Sequence, residues 1–560
     1  MDVKPTTRSS RAIDTACLVG LLVLAGALRM VHLDATSLWW DEIVQIQTAS
    51  LPSFADVLWR VRRGDPPGLG NAGAVPLDYL LMHAWFQLVP RPPPPWLEVY
   101  FRFPAWVCST AAVGALFLYA RRYFGRVAAI AAGLALATSV PHALYAGEAR
   151  FYSLFSLVTV LCLWSFSWVA RNPRRGLPWL VHAGVAVITF TTGLLGLLLL
   201  AGQYAILGVL VLGDVLRRRG GRARDLVVPA ALALASALVF AVVLGSYYRG
   251  TWLFLKLQHH DEGRGPWQAI VEVFAYFTLE SWAALALFLA SFAVLPLVAR
   301  RAPSRRAILV HVATSFLWIP VLAWLASWKG YYVRPRHALF LLPYFALVLG
   351  VGLDEILRRV PRLRDPSGTR SAAIRALVAA SLVLVAQGPS AVRSLADPIR
   401  YAAAIKPTQD LRGLTEVLAR RSATIPPERV YLLVAERPAG AYLKNPAVAW
   451  YLRQWQLSDR VWLRTGSTSE EILARTDEVC ATGCAGRRAQ GLALALRVGS
   501  DISVRASLRQ LLDIDQPKVL PPRPVGAIGV LRHRRDSRSS AEHVADAPEL
   551  GPGWTLFEVP

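Results

Sequence analysis

Charge is scarce in this sequence for its length. Only 18% of the 560 residues are charged, against 54% hydrophobic; this excludes an ordinary soluble domain, and the length excludes a single apolar core. Cysteine is far scarcer, with five in the chain, too few for a disulfide scaffold. Cys17, Cys108 and Cys162 lie inside apolar runs, where a thiol behaves as a small hydrophobe. Cys480 and Cys484 remain, placed for a small-loop disulfide and short of the further ligands that a metal site needs. No segment repeats at a fixed period, which excludes a solenoid. Acids are also few, 37 against 61 Lys and Arg, leaving a formal charge of +24. An excess of that size suggests nucleic acid until the arginines are located. They fall in short clusters between apolar runs, so the charge reports membrane topology and no nucleic-acid partner is expected.

What the sequence has in abundance is apolar runs long enough to cross roughly 30 Å of hydrocarbon. They occur near 13–33, 101–120, 127–145, 150–170, 177–213, 227–246, 280–299, 307–327, 337–353 and 372–390. The run 177–213 is long enough for two crossings, with Thr191-Thr192-Gly193 as the point where it could turn. Eleven transmembrane helices are therefore expected, and the chain reads as a polytopic α-helical membrane protein. Arginine clusters at 121–126, 171–175, 217–224, 300–306 and 358–364 alternate with Arg-poor loops, which places these clusters in the cytoplasm. With Lys4, Arg8 and Arg11 also inside, an odd helix count puts residues 34–98, 146–149, 247–279, 328–336 and everything after 391 on the exoplasmic side. A multi-pass protein of the plasma (inner) membrane follows, with the bilayer itself as a partner.

Arg11 and the apolar stretch after it have the look of a signal peptide. Cleavage would break the parity of the N-terminal region, so the stretch is read as a retained first helix. Residues 75–90 carry Asp78 and His83 and are short for a crossing; together with 42–62 they are expected as interfacial helices of the first outer loop, 34–98. The transmembrane domain is assigned to 1–400. From 401 to 560, amphipathic helices (410–421, 448–457, 470–480, 503–512) alternate with short apolar strands (430–435, 461–464, 492–498, 526–531), the pattern of a compact exoplasmic α/β domain. The Arg- and Ser-rich stretch 532–552 reads as a loop.

Chemistry on the outer side has few candidates. Asp41 and Glu42 follow Ser37-Leu38-Trp39-Trp40; Tyr145, Glu148, Arg150 and Tyr152 cluster before the 150–170 run; His259 and His260 precede Asp261 and Glu262; Lys329, Arg334, Arg336 and His337 precede the 337–353 run. Acids come from early loops and cations from a late one, as transfer from a phosphate-linked donor requires, with a carboxylate as base and guanidinium groups for the anion. Each also has a structural reading. Asp41 can cap a helix with Glu42 favouring its N-terminal dipole, Glu148 and Arg150 can be a helix-start acid and a snorkelling base, and Arg334 and Arg336 can be interfacial charges. The two histidines with their neighbouring acids are either a solvated loop or part of a divalent-cation site.

Taken in chain order, Ser37-Leu-Trp-Trp-Asp41-Glu42, Gly147-Glu148-Ala-Arg150-Phe-Tyr152 and Arg334-Pro-Arg336-His337-Ala-Leu-Phe-Leu-Leu-Pro343 resemble the motifs of GT-C membrane glycosyltransferases, the protein O-mannosyltransferase and aminoarabinose-transferase group in particular (glycosyltransferase family 39-like). The resemblance spans roughly residues 13–355. It implies the GT-C fold and an inverting transferase that moves a hexosyl or pentosyl group from a polyprenyl phosphate sugar to a glycan, lipid or protein acceptor in the cell envelope. By position, Asp41 would be the base with Glu42 beside it, Glu148 would orient a substrate, Arg336 with Arg334 would hold phosphate, and Tyr145, Arg150 and Tyr152 would line the substrate. A phosphate leaving group needs charge stabilisation more than a proton, so a guanidinium can stand in for a general acid. One departure stands out: many relatives carry His or Lys before the Pro of the second interfacial helix, whereas this chain has Ala74-Val75-Pro76-Leu77-Asp78-Tyr79. A non-catalytic relative or a transporter that binds lipid or sugar is the alternative; a transporter would show internal repeats and broken helices near the midplane, and the sequence shows neither clearly.

Overall fold

The computed structural model describes residues 8–63, 76–94, 96–173, 175–193, 195–217, 231, 235, 265–278, 281–301, 303–329, 335–363 and 369–398, and beyond these only residues 412, 415, 419, 431–436, 450, 451, 453–456, 461–466, 491–497, 529–531, 554 and 555. The chain divides into two compact units, one of residues 1–34, 44–91 and 99–401, the other of residues 35–43, 92–98 and 402–560.

The first unit is helical. Its elements are α1 (Arg8–Met30), α2 (Trp40–Ala49, begun in the second unit), α3 (Phe54–Arg63), α4 (Pro76–Leu88), α5 (Leu97–Tyr123), α6 (Arg126–Ala137), α7 (Val140–Ala146), α8 (Tyr152–Arg171), α9 (Gly176–Thr192), α10 (Gly196–Arg217), α11 (Pro266–Thr278), α12 (Trp282–Ala293), α13 (Leu295–Ala299), α14 (Pro303–Ser315), α15 (Trp318–Lys329), a 3-10 turn (Pro335–Leu341), α16 (Leu342–Arg359) and α17 (Thr369–Ala396). Among the described residues seven helices are long and apolar enough to cross a membrane, eight if the bent pair α6 and α7 is one span, and α9 and α10 are shorter apolar helices. The run 177–213 divides at Gly193, whose backbone is extended. The run 227–246, needed for a count of eleven, lies outside the described residues except for 231 and 235, and Cys480, Cys484, residues 532–552 and most of the C-terminal helices expected from sequence also lie outside them.

Two expectations need correction. The run 127–145 is not one straight crossing: α6 and α7 meet at 57°. Pro141 sits in the first turn of α7 behind Ser139, which is extended; in a continuous helix its ring would strike the carbonyl of residue 137, and it has no N–H to donate. The carbonyls freed at the bend are taken up by Arg29, which is 0% exposed. Its guanidinium donates to Leu136 O and Ala137 O, each at 3.1 Å, and approaches His142 Nδ1 at 2.6 Å, while its Nε donates to Ser109 Oγ at 2.7 Å. With Nδ1 accepting, the imidazole proton lies on Nε2 and points to Ser156 Oγ, 2.8 Å away. Backbone irregularity at membrane depth is tolerated where protein groups satisfy it in this way. The second correction concerns 42–62, which is two helices, because Pro52 stops α2 and Ser53 caps α3, receiving a bond from Asp56 N at 3.1 Å and donating to Asp56 Oδ2 at 2.7 Å. α4 has 13 residues, short of a crossing, as the sequence predicts.

α16 is the central helix, with Leu342 through Glu355 all buried. It lies against the alanine-rich α6 so closely that a Cβ on Gly350 would come within 2.3 Å of Ala128 O and 2.7 Å of Ala132 N. Small residues let helices in lipid approach to backbone contact. Gly350→Ala is therefore expected to lower the thermal midpoint of the purified protein, at a cost of about 1–3 kcal/mol from overpacking, whereas Gly388→Ala, which meets nothing within 4 Å, should leave it unchanged. Equal midpoints for the two variants would mean that α6 and α16 can separate freely.

In the second unit the described residues include a five-stranded sheet of β1 (Tyr431–Glu436), β2 (Val461–Gly466), β3 (Gly491–Arg497), β4 (Gly529–Leu531) and β5 (Trp554–Thr555). Strand order is β2-β1-β3-β4, with β5 paired to β3. β1 pairs parallel with β2 (Tyr431 opposite Val461) and with β3 (Tyr431 opposite Gly491), while β4 and β5 pair antiparallel with β3. Four of these strands fall on the apolar segments picked out in the sequence.

Candidate active site

In the first unit the site is built around the short turn from α7 to α8. The chain leaves α7 at Ala146, and Gly147 N, Glu148 N and Arg150 N donate to Leu144 O (3.0 Å), Tyr145 O (3.4 Å) and Glu148 O (2.8 Å). Ser153 Oγ ties the start of α8 back to Tyr145 O at 3.1 Å. Only glycine fits at 147, because a Cβ there would lie 2.5 Å from the carbonyl oxygen of His32. The backbone of the segment after α1 thus presses the turn into place, and Glu148 is held at 2% exposure.

The rings of Tyr145 and Tyr152 meet edge to face at 4.8 Å. Tyr145 interacts with Tyr276 of α11, and both phenols feel the carboxylate of Glu148 and the guanidinium of Arg336. Arg336 belongs to the 3-10 turn leading into α16, and this turn packs on α8 through Phe340 and Phe155, 5.3 Å apart. Residues from α7, α8, α11 and the 3-10 turn therefore converge: Tyr145, Glu148, Tyr152, Tyr276 and Arg336 share one polar cluster. Arg150, half-buried, lies 5.9 Å over the ring of Phe151.

Asp78 joins from α4. Its carboxylate accepts from Gln45 Nε2 of α2 and feels the charge of Arg150. Burial pushes this carboxyl up to about 6, and the Gln45 bond and Arg150 pull it down only in part. A buried acid with the folded value above the unfolded one stabilises the fold at acid pH, and the contribution, about 3 kcal/mol in all, is lost as pH rises from about 4 through about 6, with about half of it lost above pH 5. The wild-type thermal midpoint should accordingly fall between pH 5 and 7.5 relative to that of Asp78→Asn, which keeps the acceptor and cannot ionise. Parallel midpoints across that range would show that the carboxyl is solvated.

Asp41 and Glu42 belong to the second unit. The loop before them is fixed there: Leu38 N donates to Tyr451 Oη at 2.7 Å, Tyr451 Oη donates to Glu98 Oε1 at 2.6 Å, and Arg412 N donates to Ser37 Oγ at 2.9 Å. α2 starts at Trp40, two residues before the expected 42. Glu42, fully buried, accepts from Trp39 N at 3.2 Å, the N3 half of a capping box, so the capping bond is made by Glu42. Asp41 occupies the first helical turn and is half-buried.

Arg334, His259 and His260 lie outside the described residues. Among the described residues no group of three His, Cys, Asp or Glu is placed to hold a metal. Two members of the cluster escape the sequence reading. Tyr276 sits in an apolar helix with no motif around it, and Asp78 stands out in sequence only as an acid in a short apolar segment, close to the cation missing before Pro76.

The bundle of apolar helices, with its broken span and a polar cluster beside a late 3-10 turn, has the fold of a solved membrane protein of the GT-C type. Neither a family model nor a curated protein matches the sequence. Among solved structures, ArnT from Cupriavidus metallidurans in the apo state aligns over 90% of this chain and 95% of its own at 14% identity and a TM-score of 0.51. The same protein bound to undecaprenyl phosphate aligns over 96% and 99% at 14% identity and a TM-score of 0.52. The apo oligosaccharyltransferase of Archaeoglobus fulgidus gives a TM-score of 0.47 at 11% identity, over 86% of this chain and 69% of that one. At 14% identity the similarity to ArnT is one of fold.

Proposed function

We propose that the protein is an inverting glycosyltransferase that moves a sugar from a polyprenyl phosphate donor to an acceptor on the exoplasmic face of the plasma (inner) membrane. The observation that carries this reading is the gathering of Tyr145, Glu148, Tyr152, Tyr276 and Arg336 in one cluster, within a fold also adopted by ArnT bound to undecaprenyl phosphate. In the proposed reaction Asp41 takes the proton of an acceptor hydroxyl as its oxygen attacks the anomeric carbon. The bond from that carbon to the phosphate oxygen breaks, and the electron pair leaves with the polyprenyl phosphate, whose growing charge Arg336, with Arg334, neutralises. Glu148 orients substrate through its hydroxyls, and the tyrosines wall the sugar. The cation that many relatives carry is absent ahead of Pro76, and Arg150, whose charge Asp78 feels, supplies positive charge on that side of the donor.

The proposed orientation has eleven crossings and an exoplasmic α/β domain at 401–560. The test is transfer itself: protein reconstituted in vesicles should release polyprenyl phosphate from at least one member of a panel of hexosyl and pentosyl polyprenyl phosphates offered with glycan, lipid and peptide acceptors. Binding of polyprenyl phosphate with no turnover on any donor would favour a non-catalytic relative, and no binding at all would sink the proposal. A reporter active only outside the cytoplasm should work when fused at Pro560; activity of a cytoplasm-only reporter there would overturn the orientation.

A further inference from the structure

The arginine-rich end of the first unit contains more than retention charges. α14 begins beside the C-terminal end of α16, and the two enclose, with α13 and α6, a small open pocket lined by Arg301, Arg305, Arg358, Asp354 and Glu355 over an apolar floor that includes Phe124. Both carboxylates are buried, Asp354 at 4% and Glu355 at 2% exposure, and both are already engaged. Glu355 is paired with Arg301 at 2.6 Å and Arg359 at 3.2 Å. Asp354 is paired with Arg358 at 2.5 Å, with Arg375 at 4.0 Å.

Arg305 is different. Half-buried in the same pocket, it makes no ion pair among the described residues. Its guanidinium faces the like charges of Arg358, Arg171 and Arg301, offset only by Asp354, which is shared among other arginines. The first turn of α14 carries no acid that would offset the positive helix end either. Partly desolvated like charges repel unless a counter-ion sits between them. Ordinary retention arginines splay outward into water, as the exposed Arg306 does. The geometry points to an anion site at Arg305, and we propose that it takes the phosphate of an anionic phospholipid headgroup. The pocket lies at the ends of two apolar spans, Arg305–Leu325 and Pro335–Arg359, so it opens where headgroups are concentrated, and basic pockets between helices at that level suit them.

Non-specific attraction of a basic surface for anionic lipid predicts something else: each arginine contributes about 1 kcal/mol, roughly fivefold, wherever it stands. The two ideas separate when full-length protein, delipidated in detergent, is titrated with phosphatidylglycerol, phosphatidylcholine and inorganic phosphate, with bound lipid counted by native mass spectrometry. Arg305→Ala should weaken phosphatidylglycerol binding by about tenfold or more, as loss of a charge-assisted bond does, while Arg306→Ala costs less than about fivefold and phosphatidylcholine shows no dependence on either. Arg305→Gln, closer in shape, repeats the measurement if the alanine variant folds poorly. Equal losses at 305 and 306 would overturn the site. Inorganic phosphate that binds as tightly as phosphatidylglycerol, and is lost in Arg305→Ala, would overturn the lipid assignment and make the ligand soluble phosphate.

Discussion

Replacing Asp41 by Asn is expected to reduce sugar transfer by about 10²- to 10⁴-fold, the range for losing a general base, while expression and thermal midpoint stay at wild-type values. Asparagine keeps the size and the polar edge of the side chain. The capping bond of α2 should also survive, because Glu42 and not Asp41 receives it. The loop ahead is anchored independently through Ser37 and Leu38. If Asp41→Asn transfers sugar at the wild-type rate from a polyprenyl phosphate donor that the wild type uses, Asp41 is a first-turn acid and the base must be sought elsewhere. Glu42→Gln provides the contrast: it should lower stability, since the carboxylate that caps the helix is fully buried.

At Arg336 the informative change is to lysine. Lysine preserves the charge but not the planar fork that meets two phosphate oxygens at once, so donor binding should weaken by about 10- to 100-fold, the worth of a charged hydrogen bond at roughly 1.5–3 kcal/mol. The 3-10 turn should hold its shape, because Leu339, Phe340 and Leu341 behind it are buried. Binding of a polyprenyl phosphate, measured by competition with labelled donor, reads this without turnover. Wild-type affinity in Arg336→Lys combined with failure of Arg334→Ala would move the phosphate role to Arg334.

Much of this was legible in the chain. The apolar runs mark the helices because a bilayer demands length and hydrophobicity that no other context does. Gly147-Glu148 marks the turn before α8, and the strand segments at 431 and 461 differ from the expected starts by at most one residue. What stayed hidden was hidden for physical reasons. The bend between α6 and α7 rests on Pro141 and a guanidinium more than a hundred positions earlier, and hydropathy averages over both. Tyr276 reads as one more apolar aromatic until the fold sets it against Tyr145. Pro52 was visible, but helical spacing of apolar residues continues across it and conceals the break.

The Arg29 clamp has a consequence for how the protein is made. α1 is made before the helices that hold Arg29, and Arg29, in its last turn, must until then sit at the headgroup level, where a long cationic side chain can snorkel to water. Its partners, Ser109 of α5, the carbonyls of Leu136 and Ala137, and His142, are synthesised 80 to 113 residues later. Burial of the charge and bending of the span are thus one late event: the kink cannot be satisfied before Arg29 withdraws from water, and Arg29 cannot withdraw before the kink exists. Biogenesis of this chain passes through a stage in which its helices are inserted but the turn bearing Glu148 is not yet set, so the site is assembled inside the membrane and not delivered to it.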